Sequence, residues 1–152
     1  MATEMLVEKS ILIDKPVQEV FSFLIITRNQ EQFSVWNMKD PSKITHATGT
    51  DGTVGFVYSW DSKMKDVGAG SQEITKIVEG QEIEYALRFE RPMKNTGVSR
   101  FIVEPAGENQ TRVIWEFRGP MKFPMSLFKG MIQKMLGKDI AQSLENLKGK
   151  LV

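Results

Sequence analysis

From Ile44 to Gly119 the chain follows one pattern, with apolar and polar residues alternating at a period of two. The clearest stretch sets Ile83, Tyr85, Leu87 and Phe89 against Glu82, Glu84, Arg88 and Glu90. Val54, Phe56, Tyr58 and Trp60 repeat it, as do Val113, Trp115 and Phe117 against Arg112, Glu116 and Arg118. The spacing predicts strands near 43–48, 54–61, 69–78, 82–90, 97–104 and 111–119. Turn signals fall at Thr50-Asp51-Gly52, Asp61 to Asp66, Glu79-Gly80, Arg91 to Thr96 and Ala106 to Asn109. All are too short for a parallel crossover, so these strands form an antiparallel meander with one wet face.

The flanking segments supply what that sheet must bury against. Val7, Ile11 and Ile13 alternate with Glu8, Ser10 and Asp14, which predicts a first strand over 5–13. Asp14-Lys15-Pro16 marks a helix start with Pro16 at the first helical position, and Val17, Val20, Phe21 and Leu24 give its stripe. A second short helix is expected from Thr27 to about Phe33, with Trp36 after it. At the other end, Leu127, Phe128, Met131, Ile132, Met135, Leu136, Ile140, Leu144, Leu147 and Leu151 recur at gaps of three and four. They predict one continuous apolar face on a helix from Pro124 to Leu151, on the order of 40 Å long, with Gly137 the natural place for a bend. The lysines at 129, 134, 138, 148 and 150 fall largely off that face. The fold expected is α+β: a curved seven-stranded antiparallel sheet wrapped around a long C-terminal helix, with two short helices after the first strand. With 152 residues and no internal repeat or linker, residues 1–152 read as a single domain.

Composition narrows the function. A net charge of +1 argues against nucleic-acid binding through global electrostatics. The absence of cysteine removes disulfides, thiol nucleophiles and thiolate metal sites, and it suits a reducing cytoplasm. The N-terminus lacks an apolar run behind a basic segment, so no signal peptide is expected. His46 is the only histidine, which leaves carboxylates alone to complete a metal site, and neither a metal nor another cofactor is expected. Gly49-Thr50-Asp51-Gly52 has no Gly-Lys-Ser/Thr ending and leads into a strand, so it reads as a turn and not a phosphate loop.

Certain residues also carry a family likeness. They are Ile13-Asp-Lys-Pro16-Val-Gln-Glu-Val20-Phe21, Trp36, Gly55-Phe56 to Trp60, Gly68-Ala-Gly70, Ile83-Glu-Tyr85, Leu87-Arg-Phe89, Thr111-Arg-Val113-Ile-Trp115, Gly119 and Ser143-Leu144-Glu-Asn-Leu147-Lys148. In this order they resemble the START-like (SRPBCC) superfamily, the helix-grip fold of birch-pollen-type allergens. More narrowly, the chain is similar to its polyketide cyclase/dehydrase branch of small bacterial proteins. The resemblance implies a scaffold holding an apolar, aromatic, polyketide-like or lipid-like molecule between sheet and C-terminal helix. Cyclase or dehydratase chemistry, and a ligand-free interaction module like the chaperone-activating members, are the alternatives it leaves open.

The residues expected to line such a cavity are Phe56, Tyr58, Trp60, Tyr85, Leu87 and Phe89, with Phe101, Trp115, Met131 and Met135. Tyr58, Trp60 and Tyr85 would form its polar end, since each has an apolar body and a polar tip. Glu73 and Tyr85 are the candidates for moving protons, although periodicity leaves open whether Glu73 or Ile74 points inward. Inward ionisable groups within hydrogen-bond reach of each other would mark an enzyme, and a filled core without a cavity would mark an interaction module. Met121, Met125, Met131 and Met135 with Lys122, Lys129 and Lys134 also suggest a basic amphipathic segment. Membrane contact is set aside because the apolar face is needed inside. The expected assembly is a monomer or weak homodimer.

Overall fold

The computed structural model describes residues 3–152. Seven antiparallel strands form one sheet in the order β1-β7-β6-β5-β4-β3-β2. They are β1 (Thr3–Ile13), β2 (Ile44–Thr48), β3 (Val57–Asp61), β4 (Ala69–Val78), β5 (Glu82–Arg91), β6 (Asn95–Gly107) and β7 (Gln110–Met121). The first strand closes on the last, with Val7 opposite Phe117 and Ile13 opposite Thr111. Between β1 and β2 lie α1 (Val17–Leu24), a 3-10 segment Thr27–Gln32 and the four-residue helix α2 (Val35–Met38). A 3-10 turn, Met125–Phe128, then leads into α3 (Lys129–Lys150). This is the α+β helix-grip arrangement the sequence predicts.

Local departures have local causes. Pro16 stands just outside α1 with ψ 154°, so the helix begins one residue later than expected. β3 starts at Val57 and not near 54, because Gly55 takes φ +98° and breaks the pleat. Glu116, expected on the wet face, is buried, and its carboxylate accepts bonds from Arg100 (3.2 Å) and Arg118 (3.1 Å). Gly137 is a close-approach site within an unbroken helix: a Cβ there would sit 3.1 Å from Lys9 Cε.

α3 departs furthest from the expected pattern. Ile140, Leu144 and Leu147 are buried, but Leu127, Phe128, Met131 and Met135 are exposed, Met131 by 65%. At about 100° per residue every gap of four advances the stripe by roughly 40°. Ile132, Leu136, Ile140, Leu144 and Leu147 therefore cluster in one sector. Met131 and Met135 stand more than 100° from the centre of that sector, by about the same helical arithmetic. The apolar residues form two faces, and only one of them reaches the core.

Packing at the centre leaves little room for a guest. Phe33, fully buried between the 3-10 segment and α2, meets Trp115 at 5.8 Å, Phe101 at 6.1 Å and Phe23 at 6.2 Å between ring centroids. Trp36 of α2 lies edge-on to Trp115 and Phe117, and its indole N–H donates to Asp139 of α3 at 3.2 Å. Ser143 Oγ accepts the Val35 N–H, and the Asn146 side chain donates to the Phe33 carbonyl. The short helices thus occupy the middle of the grip and tie the second half of α3 to the sheet.

Candidate functional site

The concave face of the sheet changes character toward the end where α3 begins. Cross-strand register sets Met5 against Gly119, Gly97 against Leu87, Leu87 against Gln72 and Gln72 against Tyr58. Gly119 and Gly97 face each other in this row, and a Cβ on Gly119 would lie 3.0 Å from the Thr96 carbonyl and 3.3 Å from Gly97 Cα. With no side chain at either position the concave face carries a bare strip, here termed the trough, where the two backbones approach closely. Trp60 and Phe89 form its outer wall, with ring centroids 6.1 Å apart and both half-buried. Gly70 between them lets the Trp60 ring lie flat, since a Cβ there would be 2.9 Å from that ring. Phe117 and Trp36 form the inner wall. The first half of α3 lies at this end, where the Leu6 N–H donates to Gln133 Oε1 at 3.2 Å.

One end of the trough is polar. Tyr58 donates to Glu31 Oε2 at 3.1 Å, and the same carboxylate takes Lys43 Nζ at 2.6 Å and Asn37 Nδ2 at 3.0 Å. Lys43 has only 6% of its side chain exposed and also donates to the Asn37 carbonyl. Gln72 and Gln30 exchange bonds through their amides. Deeper in, the Tyr85 hydroxyl lies 3.4 Å from Thr27 Oγ1. Burial pushes the Tyr85 phenol up to about 12, aided by the Asp51 charge and opposed by the Thr27 contact. Burial likewise raises Tyr58, with neighbouring Glu31 adding to it. Both phenols therefore stay protonated at neutral pH and act as hydrogen-bond partners.

The expected site residues separate into groups. Tyr58, Trp60, Leu87 and Phe89 border the trough. Phe56, Tyr85, Phe101 and Trp115 are buried in the packed core, with Phe101 and Trp115 stacked at 4.6 Å and Trp115 donating to Ser99. Met131 and Met135 face solvent from α3. Glu73 points away from the core and pairs with Arg88 at 3.0 Å, because Gln72 and Ile74 take the inward positions. It is thereby separated from Tyr85. His46 is exposed on β2, and no cluster of three potential metal ligands occurs among the described residues. Phe33 and its neighbours pack between the sheet and α3, where the cavity is expected. Two surface depressions, of 540 and 360 Å³, lie at the β4–β5 turn and beside Lys94 and Lys122. Sequence reasoning missed Glu31, Lys43, Phe33 and the glycine pair. Gly97 and Gly119, each interrupting a strand pattern, were the available signal.

Residues 5–152 match the sequence profile of a family described as polyketide cyclase/dehydrase and lipid transport. No curated protein sequence matches the chain. Among solved structures, norcoclaurine synthase from Thalictrum flavum, in complex with dopamine and hydroxybenzaldehyde, superposes with a TM-score of 0.75 at 8% identity. That match covers 99% of this chain and 87% of that one. A conserved protein from Geobacillus kaustophilus gives 0.71 at 12% identity, covering 97% and 95%. The Aha1 dimer from Colwellia psychrerythraea gives 0.65 at 16%, covering 97% and 96%. At these identities the likeness is one of fold.

Proposed function

The chain belongs to the polyketide cyclase/dehydrase and lipid transport family, and on that premise we propose that it binds a small apolar or aromatic molecule in the trough over Gly97 and Gly119. The observation that carries this reading is the facing glycine pair between two half-buried aromatic walls, with hydrogen-bonding groups at one end only. Apolar walls with a few polar groups that fix orientation are the usual make-up of a small-molecule site. A polyketide-like or lipid-like ligand with one polar terminus fits that asymmetry. No separate cofactor enters the proposal, and residues 1–152 act in it as one domain.

Proton transfer has less support. Tyr58 and Glu31 are inward groups within bonding reach, but Glu31 already accepts three donors and both tyrosines hold their protons. The filled centre supports a second role as an interaction module, whose working surface would then be outside.

Titration with a naphthalene-sulfonate reporter dye tests the binding reading. The expected result is saturable single-site binding that raises the melting temperature. Trp60→Ala with Phe89→Ala should weaken it at least about tenfold, the loss of ~1.4 kcal/mol. Unsaturable binding, or an affinity indifferent to both substitutions, refutes it.

A further inference from the structure

The second apolar face of α3 is unpartnered among the described residues and carries its own charge signature. Met131 and Met135 are 65% and 57% exposed, and Leu127 and Phe128 in the preceding turn are 70% and 52% exposed. On the helix, Lys134 and Lys138 fall within about 60° of Met131, by ~100° per residue, so cations and methionines share one outward sector. Lys122 and the 72% exposed Phe123 precede it. From Gly119 to Lys138 there are four lysines and no acidic residue. The rest of the chain then has 16 cations against 19 anions, so a basic patch of +4 sits on a body of −3.

We propose that this face docks on an anionic lipid surface, with Leu127, Phe128, Met131 and Met135 entering the headgroup boundary and Lys122, Lys134 and Lys138 meeting lipid phosphates. The reason for setting membrane contact aside was that the apolar face is needed inside, and that premise fails for this half of the helix. A surface helix that is apolar on one side and flanked by lysines lies in the plane of an interface, and lysines reach past apolar neighbours to place their charge in the headgroups. No helix among the described residues is long and apolar enough to cross a membrane, so the contact is peripheral. The charge also argues against a second copy as occupant, because two such faces would set like charges against each other in a desolvated contact. The docking reading stands on burial and charge alone and does not depend on the trough being a ligand site.

Flotation of the full chain with phosphatidylcholine vesicles, with and without about one third phosphatidylglycerol, tests it. The protein should float with the anionic vesicles only and be released as salt shortens the Debye length below ~8 Å. Each near-surface lysine contributes about fivefold in partition, so Lys134→Gln with Lys138→Gln should lower binding by roughly 25-fold. Met131→Gln with Met135→Gln should lower it as well. All four positions are exposed or solvent-facing, so an unchanged circular dichroism spectrum and unchanged dye binding in the trough are expected. The proposal is overturned if the parent chain stays with the pellet in the presence of anionic vesicles, or if both double variants float like the parent. It is also overturned if sedimentation shows concentration-dependent self-association that Met131→Gln with Met135→Gln abolishes, which assigns the face to a second copy. Loss of dye binding with flotation intact would refute the trough reading and leave this one standing.

Discussion

Replacing Phe33 with Ala tests whether this protein fills the centre of its own grip. The ring is fully buried and lies 5.8–6.2 Å, centroid to centroid, from Trp115, Phe101 and Phe23. Removing a buried Phe typically costs 3–5 kcal/mol, the sum of lost transfer energy and the void left behind. The neighbours here are held on several sides: Trp115 by Ser99, Trp36 by Asp139, and the Phe33 carbonyl by Asn146. They have little freedom to collapse, so about 4 kcal/mol is expected. For a chain of this size that lowers the melting temperature by roughly 8–16 °C. The void would be apolar and dry, and such cavities take up benzene-sized guests. Benzene at a hundred times its dissociation constant should restore about 2.7 kcal/mol. Differential scanning calorimetry with and without benzene reads both quantities. A loss below about 1 kcal/mol, or no response to benzene, would mean that the space is closed by other residues and that Phe33 is not the plug.

Leu144→Ala should cost about 2–5 kcal/mol in urea unfolding, whereas Met131→Gln or Met135→Gln should stay within ~0.5 kcal/mol; equal costs would contradict the two-faced helix. Tyr85→Phe should flatten the alkaline limb of the stability curve. A phenol whose pKa rises from 10.0 to about 12 on folding contributes stability that is fully present below pH 10 and lost as pH climbs toward 12. The difference is roughly 2–3 kcal/mol as an upper figure. Parent and variant denaturation series that stay parallel from pH 9 to 12 would rule that contribution out.

How much of this was legible depended on the range of the interaction involved. β4 was predicted and found at 69–78, and β5 differs by one residue, because alternation is a local signal repeated over many positions. The inward side of β4 was not legible, since Gln72, Glu73, Ile74 and Thr75 alternate without a consistent apolar set. What decides it is cross-strand: Ile74 lies opposite Tyr85, and Glu73 finds Arg88 outside. α2 has four residues, about one turn, too few for any period to appear. The polar group at Glu31, Lys43 and Tyr58 joins the 3-10 segment, the loop before β2, and β3, and no spacing along one of them announces it. The helix was misread for a different reason. The apolar set includes neighbours, Met131 with Ile132 and Met135 with Leu136, which stand about 100° apart and so belong to different faces.

That division of the apolar residues into two faces bears on both proposals. α3 buries Ile140, Leu144 and Leu147 in the core that Phe33 and Trp36 join, and turns Met131 and Met135 outward at the end where Leu6 bonds Gln133. If both readings hold, a lipid-like molecule leaving the docked surface meets the trough at the same end of the protein, with the first half of α3 between them. Occupancy of the trough would then cover Trp60 and Phe89, and docking would cover Met131 and Met135, so the two events should protect different methionine and tryptophan side chains from oxidative labelling. Protection of both sets by anionic vesicles alone would mean that the helix folds back over the trough when it docks.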